Sequence, residues 1–267
     1  MNLCGLKASL RSIGSSVIIP TLFVICFSGM QTRRNAAASD QMSRFPSVVL
    51  WAWERREDLS FIDPQKIGVA YLAETINLTG SQAIVRPRLQ PLIVPTDTKM
   101  MAVVRIELDR SQPSDLGPAQ LDRVASLLVR EATSRPLAAI QIDFDAPRSA
   151  RPFYRNLLFE LRRRLPTGFP LSITALASWC IGDNWLSGLP VDEAVPMLFR
   201  MGADRMPVLN HLESGGDFRA RPARGSLGIS VDEPITKLPT GRRVYVFNPK
   251  PWSEAALNTV AAEMSQW

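Results

Sequence analysis

Two aspartates separated by one residue, Asp143 and Asp145 in Gln141-Ile142-Asp143-Phe144-Asp145, are the pair in this sequence best suited to acid–base chemistry. On an extended backbone, residues two apart point to the same face. Two carboxyl groups brought close cannot both ionise cheaply, so one keeps its proton nearer to neutral pH and can donate it beside an anionic partner. The same residues also admit a structural reading, with Asp143 hydrogen-bonded to neighbouring strands and Asp145 capping the next helix. Further acids close other apolar runs: Glu54, Glu107, Asp109, Asp232 and Glu233. Five of the six tryptophans follow the same habit. Trp51, Trp53, Trp179, Trp185 and Trp252 lie at or just beyond the ends of such runs, where aromatic faces could stack on sugar rings or fill a core. Arg200 is a cation placed to neutralise Asp145 or to hold an anionic sugar substituent.

Positioning these residues takes a scaffold that delivers strand ends to one place. Eight short β-rich runs recur, at 48–53, 67–72, 102–106, 137–142, 171–176, 194–199, 227–230 and 244–247. Helical spacing separates several of them. Leu121, Val124, Leu128 and Ala132 mark one helix behind Pro118, and Tyr154, Leu157, Leu158, Leu161 and Leu165 mark a second. Ala256, Leu257, Val260 and Met264 mark a third behind Ser253 as N-cap. Strands alternating with helices call for parallel crossovers, and eight of them call for a single-domain α/β fold of the (β/α)8 barrel type. In such barrels the C-terminal strand ends carry the site. Between the second and third strands, Pro87, Pro91 and Pro95 oppose a helix, so a β-excursion is expected there. An open doubly wound sheet would want a glycine-rich phosphate turn after an early strand, and none is present.

Composition removes several classes. The chain has 31 basic and 25 acidic residues, a net charge of +6. Lys7, Arg11, Arg33 and Arg34 supply +4 of it within the first 39 residues, which hold no acid. The remainder is near balance, which argues against a nucleic-acid partner. Residues 1–39 read as a signal peptide or N-terminal anchor: a basic start, the apolar run Val17 to Phe27, then Ala36-Ala37-Ala38-Ser39. The run is short for a spanning helix. Export to a periplasmic or secreted location is expected, with a mature start between Ala38 and Gln41; Arg33-Arg34 leave open an uncleaved anchor and, only then, a membrane partner. Residues 40–267 form the barrel domain. Of three cysteines only Cys180 lies beyond the leader, so no internal disulfide can form there. With His211 the sole histidine, a structural zinc site lacks ligands. No metal and no cofactor is expected.

At Trp51-Ala52-Trp53-Glu54-Arg55, Gln141 to Ala146, Leu171 to Cys180, Asp192 to Gly202 and Tyr245 to Pro249, the chain resembles a bacterial domain-of-unknown-function family, number 3142. The likeness runs from about residue 46 to 255 and implies a glycosidase-type barrel. More distantly, it is similar to family-18 chitinases, whose fourth strand ends D-x-x-D-x-D-x-E. Asp143 and Asp145 match the last two aspartates, while Pro147 stands in place of the proton-donating glutamate. Met197-Leu198-Phe199-Arg200 similarly parallels that family's sixth-strand M-x-Y-D, with the acid missing. Two functions follow as expectations. One is a glycoside hydrolase with a glycan substrate, using Asp145, Asp143 and Glu107 as catalytic groups. Trp51, Trp53, Glu54, Trp179, Trp185, Arg200, Asp232, Glu233, Asn248 and Trp252 would then bind substrate. The other is a non-catalytic barrel that binds a glycan or an envelope partner through the same mouth.

Overall fold

The computed structural model describes Met42 and residues 45–235 and 237–265. The proposed leader lies outside the described residues. Eight parallel strands form a closed barrel. They are β1 (Val48–Ala52), β2 (Ile67–Thr79), β3 (Met100–Leu108), β4 (Ala139–Asp143), β5 (Leu171–Leu176), β6 (Glu193–Met197), β7 (Ser226–Ser230) and β8 (Arg243–Phe247). Closure is made by β1, which pairs with β8 on one side (Val48 opposite Val244) and β2 on the other (Val48 opposite Ile67). Each strand coincides with one of the eight apolar runs.

Alternation along the strands builds two apolar layers. Val49, Trp51, Ala70, Met101, Val103, Ala139, Val195 and Tyr245 fill the barrel interior. Leu50, Val69, Val104, Ile140, Ile173, Leu227 and Val246 face outward, under the helices. Two glycines make room for the interior aromatics. A Cβ on Gly228 would lie 2.9 Å from the Trp51 indole, and one on Gly68 would lie 2.5 Å from the Phe45 ring.

Five helices are present among the described residues: α1 (Pro118–Thr133), α2 (Arg151–Arg164), α3 (Ala177–Gly182), α4 (Arg205–Glu213) and α5 (Glu254–Met264). Ser253 caps α5 by accepting from the Ala256 amide at 3.2 Å, as its position before the helix implies. Among the described residues, the crossovers after β1, β2 and β7 carry no α-helix. The β-excursion is a strand, Gln82–Pro87, folded antiparallel onto the upper half of β2. Leu92–Ile93 then pairs with Glu57–Asp58. Strand β2 runs for 13 residues and shifts register between Leu72 and Glu74. With β3 and the hairpin strand it rises above the barrel as a wall on one side of the mouth.

The floor of the interior is polar and fully engaged. Trp51 Nε1 donates to Gln141 Oε1 at 2.9 Å, and Gln141 donates to Ser172 Oγ at 3.0 Å. Ser172 and the Tyr245 hydroxyl (2.6 Å) donate to Glu193, which also pairs with Arg243 at 2.5 Å. Arg243 reaches on to the carbonyls of Met42, Phe45 and Pro46. Each buried charge therefore meets its opposite, which is the condition for tolerating it in a core.

Candidate functional site

Asp143 is the last residue of β4, and its side chain points into the mouth. Thr174 of β5 donates to its Oδ1 at 2.7 Å, and Arg105 of β3 stands 3.9 Å from Oδ2. Burial raises its pKa from 3.8 to about 6, against the hydroxyl of Thr174 and the charge of Arg105, which lower it, and with Asp145, which raises it further. Asp145 lies just beyond the strand and is exposed. Crowding at the rim still raises its pKa through desolvation, with Arg105 opposing. Asp143 is thus a protonatable carboxyl beside a more open one.

Glu107 sits two residues above Arg105 on β3. It pairs with Arg105 at 3.1 Å and with Arg86 of the hairpin strand at 3.2 Å. Its negative charge is within reach of Asp143, whose pKa it raises. A carboxylate between two guanidiniums suits an anionic partner better than a proton donor.

The opposite half of the mouth is apolar. Phe199 stacks on Phe247 with centroids 5.4 Å apart, and Trp53 meets Phe247 edge-on at 6.2 Å. These rings, with Met197, are only half-buried. The mouth therefore has a charged side built by β3, β4 and β5 and an aromatic side built by β6, β8 and the end of β1.

Four of the five expected tryptophan platforms are not at this surface. Trp51 is 3% exposed, sealed in the interior under Phe199. Trp179 falls within α3, because β5 ends at Leu176 and the chain has turned outward by then. It packs edge-on against Trp185 at 5.5 Å, and the Arg151 guanidinium covers both rings at 5.2 and 5.6 Å. Trp252 is buried at the β1–β8 seam, donating through Nε1 to the Trp51 carbonyl at 3.0 Å. Only Trp53 keeps an open face. Asn248 is 3% exposed and braces its own turn, accepting from the Lys250 amide at 2.9 Å.

Arg200 does not serve Asp145 by any contact described. It takes a left-handed backbone, φ 55°, and binds Asp232 at 2.7 Å and Glu233 at 2.5 Å. Arg205 adds a bond to Glu233 at 3.0 Å. The hydroxyl of Ser230 and then Arg200 hold Asp232 below the usual carboxylate range. These four residues tie the loops after β6 and β7 together. Glu54 is exposed on the rim, beside a cavity of about 190 Å³. Cys180 is fully buried, and burial pushes its thiol well up. His211 meets the Asp217 carbonyl at 3.2 Å and stands apart from it.

Sequence reasoning missed Arg105, Thr174, Phe199 and Phe247. The first two sit inside runs legible as strands, and the parity of each run, read from Trp53 and Asp143, would have turned them to the same interior face.

Comparison with known proteins places the chain broadly. No curated protein matches the sequence. Among solved structures, the spore cortex-lytic enzyme SleL of Bacillus cereus aligns with a TM-score of 0.48 and 18% identity. The alignment covers 70% of this chain and 51% of that one, so the chain spans about half the length of SleL. No helix among the described residues is long and apolar enough to cross a membrane. Residues 96–203, from β3 to the loop after β6, match the model of a family described as a domain of unknown function, DUF3142. That segment carries Glu107, Asp143 and Asp145, and it includes three of the motifs, Gln141 to Ala146, Leu171 to Cys180 and Asp192 to Gly202, through which the sequence resembles that family.

Proposed function

We propose that this protein acts on a glycan and hydrolyses a glycosidic bond at the barrel mouth. The observation that carries the reading is Asp143, a half-buried carboxyl with pKa raised to about 6, directly below the exposed Asp145. A pair so tuned can hold one proton near neutral pH. In this reading Asp145, at the open end, donates its proton to the glycosidic oxygen as the bond from that oxygen to the anomeric carbon breaks, and it then takes a proton from the water that attacks that carbon; Asp143 shares the proton between the two events. Glu107, held by Arg86 and Arg105, is the anionic partner that stabilises developing positive charge. Trp53, Phe199 and Phe247 supply the apolar face for the sugar ring, in the place given beforehand to Trp179 and Trp252. Export through the N-terminal segment remains part of the proposal.

Pro147 favours a second reading, a barrel that binds a glycan without cleaving it, since the position of the chitinase donor is empty of acid. Hydrolysis assays on reducing-end-labelled oligosaccharides decide between them. Asp145→Asn and Glu107→Gln should each lower turnover by about 10²-fold or more, the low end for general acid–base groups, with melting temperatures unchanged. Equal hydrolysis by both variants and wild type would refute the catalytic assignment. Binding without turnover by the wild type would select the second reading.

A further inference from the structure

The wall beside the mouth carries polar side chains in transverse rows, because its strands pair in register. Residues opposite one another on neighbouring strands share a face. Arg86 of the hairpin lies opposite Thr75 of β2, Thr75 opposite Arg105 of β3, and Arg105 opposite Asp143 of β4. One row therefore runs from the hairpin straight to the carboxyl pair. Above it, Ile84 lies opposite Asn77, and Asn77 opposite Glu107. All of these share the inward face of the wall.

Three features of this face point to a ligand. Asn77 Oδ1 is buried and has no hydrogen-bond partner, an arrangement that costs free energy unless something supplies a donor. Ile84 is 47% exposed on the same face, next to Asn77. At the foot of the wall, a cavity of about 190 Å³ is lined by Leu72, Thr75, Arg86, Arg88 and Glu54. That is smaller than the roughly 300 Å³ at which pockets for whole small ligands begin, so it suits one ring of a longer chain.

The charges say what kind of chain. Arg86, Arg105, Arg200 and Arg205 each lie within 3.2 Å of a carboxylate. Arg88 spends its guanidinium on the carbonyls of Ala52, Trp53, Arg55 and Gln90. The charge of the first four is thus countered within the protein and that of Arg88 is turned onto backbone carbonyls, so a fixed anion finds little net positive charge here, while the remaining N–H groups of Arg86, 64% exposed, can still donate to hydroxyls. What the face offers is planar amide, carboxylate and guanidinium edges beside an apolar patch, which matches the hydroxyls and the ring faces of an uncharged sugar.

We infer that the wall of β2, β3 and the Gln82–Pro87 strand is a binding track for a neutral, hydroxyl-rich polysaccharide, with Asn77 and Arg86 as positioning residues. The inference rests on the glycan reading above and names its substrate class. The chain would lie along the wall with one ring in the cavity, bringing the next linkage over Asp145.

Calorimetric titration of the full chain with cello-, xylo- and chito-oligosaccharides of two to six units tests it, with oligogalacturonates of equal length as the anionic comparison. At least one neutral series should bind, with affinity that rises with length and is insensitive to salt. Asn77→Ala and Arg86→Gln should each weaken the six-unit ligand by roughly 3- to 10-fold, the value of one hydrogen bond, and weaken the two-unit ligand less. Arg86 is 64% exposed, so its variant tests the track even if Asn77→Ala fails to fold. A salt-dependent preference for oligogalacturonate, or six-unit affinity unchanged in Arg86→Gln, overturns the track. Equal wild-type affinity for two and six units overturns it as well, while the glycan reading stands. If no series binds, both fall.

Discussion

Replacing Asp143 by asparagine should stabilise this protein at alkaline pH and leave it nearly unchanged in acid. The carboxyl titrates at about 6 in the fold against an ordinary 3.8, mainly because burial penalises its charge. An acid whose folded pKa is raised binds more protons in the native state than in the unfolded chain across that interval. Stability therefore falls as pH rises from about 4 to 6 and stays lowered above it. At about 1.4 kcal/mol per pH unit, the ionised residue costs about 3 kcal/mol. Asparagine keeps an oxygen to accept from Thr174 and carries no charge to desolvate. Against this, Arg105 loses a partner at 3.9 Å, although Glu107 still holds it at 3.1 Å. A net gain of about 1–3 kcal/mol at pH 8 follows, or roughly 2–12 °C at the usual 2–4 °C per kcal/mol for a chain of this size. Melting curves of wild type and Asp143→Asn from pH 4 to pH 8 would show a gap that opens between pH 4 and 6. A variant less stable than wild type at pH 8 would mean that Asp143 is a structural strand-end bond. A gap independent of pH would refute the burial argument.

Three further outcomes rest on the interior. Arg243→Met should cost about 3–5 kcal/mol, since it leaves Glu193 buried with its main counter-charge removed; urea unfolding measures it, and a loss below about 1 kcal/mol would show Glu193 to be neutralised otherwise. Gly228→Ala should cost about 1–3 kcal/mol by overpacking against the Trp51 ring 2.9 Å away, with a shift in tryptophan fluorescence. An unchanged spectrum and stability would place that ring elsewhere. The Cys180 thiol, buried and pushed up, should react with a thiol reagent at neutral pH only at the rate of unfolding; rapid labelling of the folded protein would refute its burial.

The barrel was legible because its signal is collective. Eight apolar runs with helical stripes between them admit few closed arrangements, and three prolines ruled out a helix after β2. Within the candidate site the placement of Asp143 was legible, since strand parity and chain position agree there. Elsewhere the rule that strand ends face the mouth overreached. It holds for a side chain of the right parity within a residue or two of the strand's end, which keeps Trp53 and loses Trp179 and Trp252. Trp51 obeys parity but lies one layer too deep. Arg200 sits at the right end, yet the acids that claim it come from the loop after β7, some 32 residues on. No local pattern announces such a partnership. The aromatic side of the mouth was missed because Phe199 and Phe247 read as ordinary strand residues until closure sets them face to face.

The seam between β1 and β8 has a consequence for how the chain is made. It is latched at the floor by Arg243 on the Pro46 carbonyl, across 197 residues of sequence. At the rim, Arg55 binds the Asn248 and Pro249 carbonyls, and Glu57 and the Trp51 carbonyl hold Trp252. During synthesis at about 5–20 residues per second, β1 would wait roughly 10–40 s with one hydrogen-bonding edge bare, paired only to β2. Through that interval the growing chain is an open, curved sheet whose first strand offers Val48 to Ala52 to any other extended segment. A holdase that shields that edge, rather than one that shields helices, is the assistance such a topology calls for.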